Sequence, residues 1–262
     1  MMLRDKVAVV YGAGGAIGGT IARAYAREGA RVFLAGRARN AVDKVANDIA
    51  AAGGSADAAE VDALDEAALD AHLASVVEKA GRIDISFNAI GLPDRDLVGV
   101  PLVDLDGDFF SRPIVAYTAS YFLTARLAAR RMIVRRSGVI MTVTALPSRM
   151  GSPMIGGYGP AMAAKEGLTR SLSIELAPHG IRVVSVRPHA MPETASIRDV
   201  FDRKAASVMT WEQWQEALAA RTHTRRLMTL DEMADVAAFM ASDRASGMTG
   251  TTINLSMGAL DD

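Results

Sequence analysis

Residues Lys6-Val7-Ala8-Val9-Val10-Tyr11-Gly12-Ala13-Gly14-Gly15-Ala16-Ile17-Gly18 constrain the fold of this chain more than any other stretch. The apolar run bounded by Lys6 and Gly12 reads as a buried parallel strand. Ile17, Ile21, Ala24 and Tyr25 then follow helical spacing until Gly29 stops it. A strand, a glycine-rich turn and a helix together can hold a phosphate. Glycines allow positive φ and leave no Cβ in the way, while the free N–H groups and dipole of the helix start attract an anion. Gly12, Gly14, Gly15, Ala16, Ile17 and Gly18 are therefore the candidate pyrophosphate-binding residues. Taken alone, a glycine cluster also reads as a tight turn and nothing more.

The next segment narrows the choice. Arg31-Val32-Phe33-Leu34-Ala35 is a second buried strand, and it ends in Gly36-Arg37 with Arg39 close by. An acidic residue there would bond a ribose 2′-hydroxyl, whereas arginine suits a 2′-phosphate. Arg37 thus predicts NADP(H) in preference to NAD(H), against the alternative of solvated surface arginines.

At 262 residues and 50% hydrophobic content the chain can bury one substantial core, so a single domain over residues 1–262 is expected. The formal net charge of −1 lacks the basic excess that nucleic-acid binding requires, and no nucleic-acid partner is expected. With no cysteine there is no disulfide, thiol nucleophile or thiolate metal site. His72, His179, His189 and His223 show no ligand spacing, so no metal is expected either. Neither a signal-peptide core nor an apolar run of bilayer-spanning length is found, which predicts a cytoplasmic protein without membrane contact.

Apolar runs near 6–11, 31–35, 56–61, 83–87, 138–144, 181–187 and 251–255 alternate with helical patterns. The pattern predicts an α/β fold, a doubly wound, mainly parallel seven-stranded sheet with helices on both faces. Right-handed crossovers bring the carboxyl ends of the strands to one edge, where ligands bind. Asp62, ending the third strand, reads either as an acceptor for an adenine amino group or as a turn residue before the helix that opens at Asp65. The fourth strand runs into Asn88 and a small-residue turn, in which Ala89 and Gly91 read as backbone approach to the cofactor's ribose or as a plain strand exit. Pro113 is expected to open a long helix ending in Arg135-Arg136, where basic residues suit the dipole, and another helix runs from about Gly159 to Ala177. Both have broad apolar faces, suited to packing on each other or on a second subunit. Residues 189–228, with Met209, Trp211, Trp214 and Met228, break the rhythm and read as a mobile lid over an apolar substrate or as a packed helical insertion.

These residues together resemble the short-chain dehydrogenase/reductase family along nearly the whole chain. Gly12 to Gly18 is similar to its TGxxxGxG loop, and Asn88-Ala89 to part of NNAG. Gly167-Leu168-Thr169-Arg170-Ser171-Leu172 with Glu175-Leu176-Ala177-Pro178 is similar to its active-site helix. Gly180-Ile181-Arg182-Val183, Arg187-Pro188, Asp231-Glu232-Met233-Ala234 and Thr249-Gly250 keep its order and spacing. The resemblance implies a Rossmann-type fold and a homodimer or homotetramer. It also implies hydride exchange between nicotinamide C4 and a carbonyl or alcohol carbon of a small-molecule substrate. In that family a tyrosine transfers the proton, and a lysine four residues later lowers its pKa and holds the ribose. A serine orients the oxygen, and an asparagine on the preceding helix positions a water.

Position by position the match is incomplete. Tyr158 falls on the tyrosine, but Met162 falls on the lysine, Ala145 on the serine with Thr144 beside it, and Tyr117 on the asparagine. Ala16 replaces a loop glycine, Tyr11 the usual threonine, Phe87-Asn88-Ala89-Ile90 the NNAG, and Pro188-His189 a proline-glycine. Asn88, Ala89 and Pro188 are carried over as cofactor contacts. A free tyrosine has a pKa of about 10 and is a poor base until a cation favours its phenolate. Lys165, seven residues on, returns to nearly the same helical face as Tyr158, a spacing that resembles the enoyl-reductase branch. A lysine reaching the site and a surface lysine are the two readings of it. Pro160 clashes with the carbonyl four residues back, so the helix is expected to start at Gly159 or Pro160, with Tyr158 at its mouth. The expected roles are Tyr158 as proton donor, Lys165 as its cation and Thr144 as the orienting hydroxyl of an NADP(H)-dependent oxidoreductase. A catalytically inactive NADP(H)-binding sensor or partner subunit is the alternative, and enoyl (C=C) reduction a third reading.

Overall fold

The computed structural model describes residues 1–92 and 98–261. The apolar runs form β1 (Val7–Tyr11), β2 (Arg31–Gly36), β3 (Ser55–Glu60), β4 (Ile85–Asn88), β5 (Gly138–Val143), β6 (Ile181–Pro188) and β7 (Thr251–Leu255). They make one sheet in the order β3-β2-β1-β4-β5-β6-β7, with every neighbouring pair parallel. The expected doubly wound sheet is therefore present. Its order reverses between β1 and β4, and the crevice outside the carboxyl ends of such a pair is where an open α/β sheet takes ligands.

Successive strand residues face opposite sides, and both sides are apolar. Ala8 and Val10 pack with Ile21, Tyr25, Val42 and Met233 on one face. Val7, Val9 and Tyr11 pack with Leu69, Leu73, Tyr121 and Leu172 on the other. The first face is covered by α1 (Ala16–Arg27), α2 (Arg39–Ala51) and α8 (Leu230–Ala241), the second by α3 (Glu66–Ala80), α4 (Gly107–Arg135) and α5 (Tyr158–Leu176). Each fully buried valine or leucine contributes roughly 1.5–3 kcal/mol. This two-sided burial is why the strands read as continuous apolar runs. Two further helices, α6 (Ala195–Lys204) and α7 (Trp211–Ala219), lie between β6 and α8.

Two helix starts differ from expectation. The long helix opens at Gly107, not Pro113, because the Asp106 carboxylate caps it by accepting from the N–H groups of Asp108 at 2.8 Å and Phe109 at 3.4 Å. Pro113 lies inside α4 and removes one N–H from the ladder without ending it. The following helix starts at Tyr158, one residue before the expected range. Pro160 is its third residue, where an N–H would have no intrahelical acceptor anyway. Gly157 sets that start: a Cβ there would collide with the carbonyl oxygen of Phe110 in α4. Among the described residues, no helix is long and apolar enough to cross a membrane, and no group of three or more His, Asp or Glu is arranged to hold a metal ion.

Candidate active site

A cleft of about 430 Å³ opens at the carboxyl edge of the sheet beside β1. Gly12, Gly14, Gly15, Ala16, Ile17, Gly18, Arg37, Asp62 and Ala89, all expected at the cofactor, line it. Backbone packing requires two of the glycines. Gly12 has φ +72° and a Cβ there would lie 2.6 Å from the Ala89 carbonyl oxygen, while a Cβ on Gly18 would strike the carbonyl oxygen of Gly12. The N-cap of α1, Gly15, supplies no side-chain acceptor, and the first turn contains no acid, so its N–H groups meet the cleft uncapped. That end suits an anion. Arg37 is exposed on the wall, whereas Arg39 is bound to Asp43 at 2.9 Å. Asp62 lines the cleft and accepts from the Leu64 N–H at 3.0 Å, as a turn residue does.

Two expected contacts lie elsewhere. Asn88 is 1% exposed; its Nδ2 donates to Thr124 Oγ1 at 3.1 Å and its carbonyl accepts from Thr142 Oγ1 at 3.1 Å, so it secures the end of β4 from inside. Pro188 ends β6 opposite Leu255, outside the cleft lining. The cleft is lined instead by Thr194, Ala195 and Ser196, at the start of α6. Sequence reading missed these residues; the available signal was a Thr in N-cap position before a helical run. Thr194 Oγ1 donates to the Met191 carbonyl at 2.8 Å and Ser196 Oγ to Thr194 Oγ1 at 3.3 Å.

At the other end of the site the polar groups of the family pattern are replaced by apolar ones. Tyr117, Ala161 and Met162 form a buried cluster against Leu92, Ile114, Ala145 and Tyr158. Tyr158, the first residue of α5, meets the Tyr117 ring edge-on, with centroids 5.7 Å apart. The Leu92 N–H donates to Tyr117 Oη at 3.1 Å, which ties this tyrosine to the cleft wall. Met162 is 2% exposed within the cluster and brings no charge.

Lys165 and Thr144 are committed elsewhere. Lys165 is fully buried, and its Nζ donates to the carbonyl oxygen of Val143 at 2.7 Å, not to Tyr158. Neither expected reading, a surface lysine or a direct partner of Tyr158, describes it. Two turns of helix span about 10.5 Å along the axis. Its ammonium lies 5.7 Å from the centroid of Tyr117 and 5.8 Å from that of Tyr121. Burial pushes its pKa down to about 7. Thr144 Oγ1 donates to Glu166 Oε1 at 3.0 Å and approaches the Val186 carbonyl, so its hydroxyl is engaged inside the fold. Glu166 also accepts from Ser148 Oγ at 2.6 Å and from both Nε and Nη2 of Arg187, at 2.9 and 3.1 Å. Burial raises the Glu166 pKa, but these hydrogen bonds and the Arg187 charge outweigh it and hold the carboxyl below its ordinary value.

The segment between β6 and α8 is helical, and its aromatic residues pack on one another. Phe201 lies 5.2 Å from Trp211 and 5.6 Å from Trp214, the two indoles stack at 5.5 Å, and Arg198 sits over Phe201 and Trp211.

A crevice at the strand-order reversal, with a glycine turn under a helix start, belongs to a Rossmann-type α/β architecture. The family model described as Enoyl-(Acyl carrier protein) reductase matches residues 12–259. L-rhamnose 1-dehydrogenase (NAD(P)(+)) of Azotobacter vinelandii is 30% identical over 97% of this chain and 96% of its own. The solved structure of an actinorhodin polyketide ketoreductase variant with NADPH superposes with a TM-score of 0.89 at 25% identity, covering 97% of each chain. NAD⁺-bound xylitol dehydrogenase gives 0.90 at 26% identity, over 97% of this chain and 99% of its own. The chain belongs to the short-chain dehydrogenase/reductase family.

Proposed function

We propose that this protein is an NADP(H)-linked oxidoreductase acting on a carbonyl or alcohol of a small molecule, with Tyr158 as the proton donor. The observation that carries the reading is a phenol at the first residue of α5, at the same sheet edge as a glycine-floored cleft whose wall holds an exposed arginine. The cofactor supplies a hydride when bound. The N–H groups of α1 would hold its pyrophosphate, Arg37 its 2′-phosphate and Asp62 its adenine amino group. Tyr158 gives its hydroxyl proton to the substrate oxygen. Residues 189–228 then cover the substrate, with Thr194 and Ser196 as their contribution to the cleft.

A second reading, a cofactor-binding protein without reductase activity, rests on a specific observation. Met162 and Ala145 are apolar, and both Lys165 and Thr144 have their hydrogen bonds inside the fold. Enoyl reduction draws less support, because the Tyr158–Lys165 spacing on which it rested produces no bond between the two. The deciding experiment titrates the purified protein with NADPH by fluorescence and then assays NADPH oxidation over a panel of ketones, aldehydes and enoyl thioesters. Binding with ketone or aldehyde turnover upholds the proposal; binding with no turnover favours the second reading; absence of binding removes both.

A further inference from the structure

A single carboxylate oxygen closes the loop that follows β5. Glu166 Oε1 accepts from Thr144 Oγ1 at 3.0 Å and from Ser148 Oγ at 2.6 Å, the residues on either side of Ala145-Leu146-Pro147. Between them the backbone makes one tight turn, with the Ser148 N–H on the Ala145 carbonyl at 2.9 Å and the Arg149 N–H on that of Leu146 at 3.0 Å. The same carboxylate takes Nε and Nη2 of Arg187, which ties the loop to the end of β6 just before residues 189–228. Both charges are buried. A buried ion pair adds little stability over well-packed apolar residues of the same volume, whereas its directional bonds fix geometry.

What the loop touches is the start of α5. Pro147 lies against Gly159: a Cβ on that glycine would come 3.1 Å from the Pro147 carbonyl oxygen. Ala145 packs on the same cluster of Tyr117, Ala161 and Met162 as Tyr158 does. Tyr158 is the first residue of its helix, so no preceding helical turn braces it, and its N–H is bonded outside the helix, to the Ile155 carbonyl at 3.1 Å. Glu166 lies eight residues further on, about 12 Å along the axis, and meets this turn by way of the loop.

We propose that Glu166 is a positioning residue for the proton donor: with Thr144 and Ser148 its carboxylate holds residues 145–147 against the first turn of α5 and so fixes where Tyr158 presents its hydroxyl. The inference rests on the reductase reading for its effect on rate. In that reading the carbonyl carbon takes the hydride of NADPH, the carbonyl oxygen takes the Tyr158 proton, and water returns a proton to the phenolate. A misplacement of about 1 Å costs about 100-fold, so releasing the loop acts on kcat and leaves the cofactor's contacts in the glycine-floored cleft alone.

Two measurements on the full-length protein test this. Ser148→Ala takes one hydroxyl from the clamp and is expected to lower kcat about 10- to 100-fold, for NADPH oxidation with whichever carbonyl the panel identifies, with the KM for NADPH unchanged. Ser148→Thr keeps the hydroxyl and is expected to keep most of the rate. An unchanged kcat in Ser148→Ala, a loss that Ser148→Thr shares, or a loss that falls on the KM for NADPH would overturn the proposal. Glu166→Gln is expected to slow turnover likewise, and Ser148→Ala to add little on top of it, because both act through one carboxylate; additive losses count against it. Where Glu166→Gln does not fold, Thr144→Val takes its place, since opening the loop at either end frees it. The second measurement needs no turnover. Labelling the five tyrosines with meta-fluorotyrosine, and assigning Tyr158 by its loss in Tyr158→Phe, gives a fluorine NMR resonance at the proton donor itself. Ser148→Ala is expected to shift or broaden that resonance, to leave that of Tyr25 on the opposite face of the sheet in place, and Ser148→Thr to return it. An unmoved Tyr158 resonance defeats the positioning even if the enzyme proves active, whereas a moved and restored resonance in a protein without turnover defeats the reductase reading and leaves the hold of the loop on Tyr158 standing.

Discussion

Lys165 Nζ donates to the carbonyl oxygen of Val143 at 2.7 Å, and this bond commits the only lysine of α5 to the end of β5 and not to the Tyr158 hydroxyl. Helical spacing brings residues seven apart onto one face, but two turns separate them along the axis. The Val143 carbonyl and the rings of Tyr117 and Tyr121 are what the ammonium meets.

That placement affects stability. The folded state disfavours charged Lys165, whose pKa falls from its ordinary 10.5 to about 7, a gap worth roughly 5 kcal/mol at its upper limit. The penalty is fully present below pH 7 and fades as pH rises toward 10.5, where the unfolded chain also loses the proton. Lys165→Met is therefore expected to stabilise the protein by about 2–4 kcal/mol at pH 6, after loss of the bond to Val143, and by little at pH 10. Urea unfolding of both proteins at the two pH values measures the difference.

Glu166 carries the opposite sign. Its folded pKa is depressed, so its contribution is present above the ordinary carboxyl value and is lost as pH falls through the folded one. Glu166→Gln leaves the Arg187 charge buried without its counter-ion and is expected to destabilise by about 3–5 kcal/mol at pH 7. The gap from wild type should narrow in acid, as read from thermal or urea unfolding.

Arg37 sets the cofactor preference in the proposed function. A charge-assisted contact to a 2′-phosphate is worth about 1.5–3 kcal/mol, so NADPH should bind roughly 10- to 150-fold more tightly than NADH. Arg37→Ala should erase most of that ratio in fluorescence titrations. Equal affinities in the unmodified protein would rule out the assignment.

Tyr158→Phe keeps the ring and its contact with Tyr117 while removing the hydroxyl. A positioned proton donor contributes about 10²- to 10⁴-fold, and turnover should drop by that factor with NADPH affinity unchanged. Turnover that survives the substitution would transfer the proton donation to another group.

The outer faces of α4 and α5 leave Val115 63%, Phe122 42% and Ile174 77% exposed. In the homodimer or homotetramer that the family resemblance implies, these faces would be covered by another subunit. Light scattering at micromolar concentration is expected to show at least a dimer, and Phe122→Asp to weaken it; a monomeric wild type would count against this assembly.

The sheet and its cleft were legible in the chain because they depend on local patterns. The run Val7–Tyr11, the glycines from Gly12 to Gly18 and the Arg37 after β2 each carry their meaning within a few residues, and hydrophobic periodicity needs no partner to be read. The start of α4 was legible too, in Asp106, but Pro113 was the louder signal. The contacts of Lys165, Thr144 and Asn88 were not legible, because burial of a polar side chain is settled by the acceptors that distant elements present to it. Lys165 meets Val143, Thr144 meets Glu166 and Asn88 meets Thr124, pairs 22 to 36 residues apart that only the packing of α4 and α5 on the sheet brings together. The sequence by itself determined that a dinucleotide-type crevice would form and where. Tertiary structure alone decided which polar groups face it, since a buried donor goes to whichever acceptor saves it from desolvation.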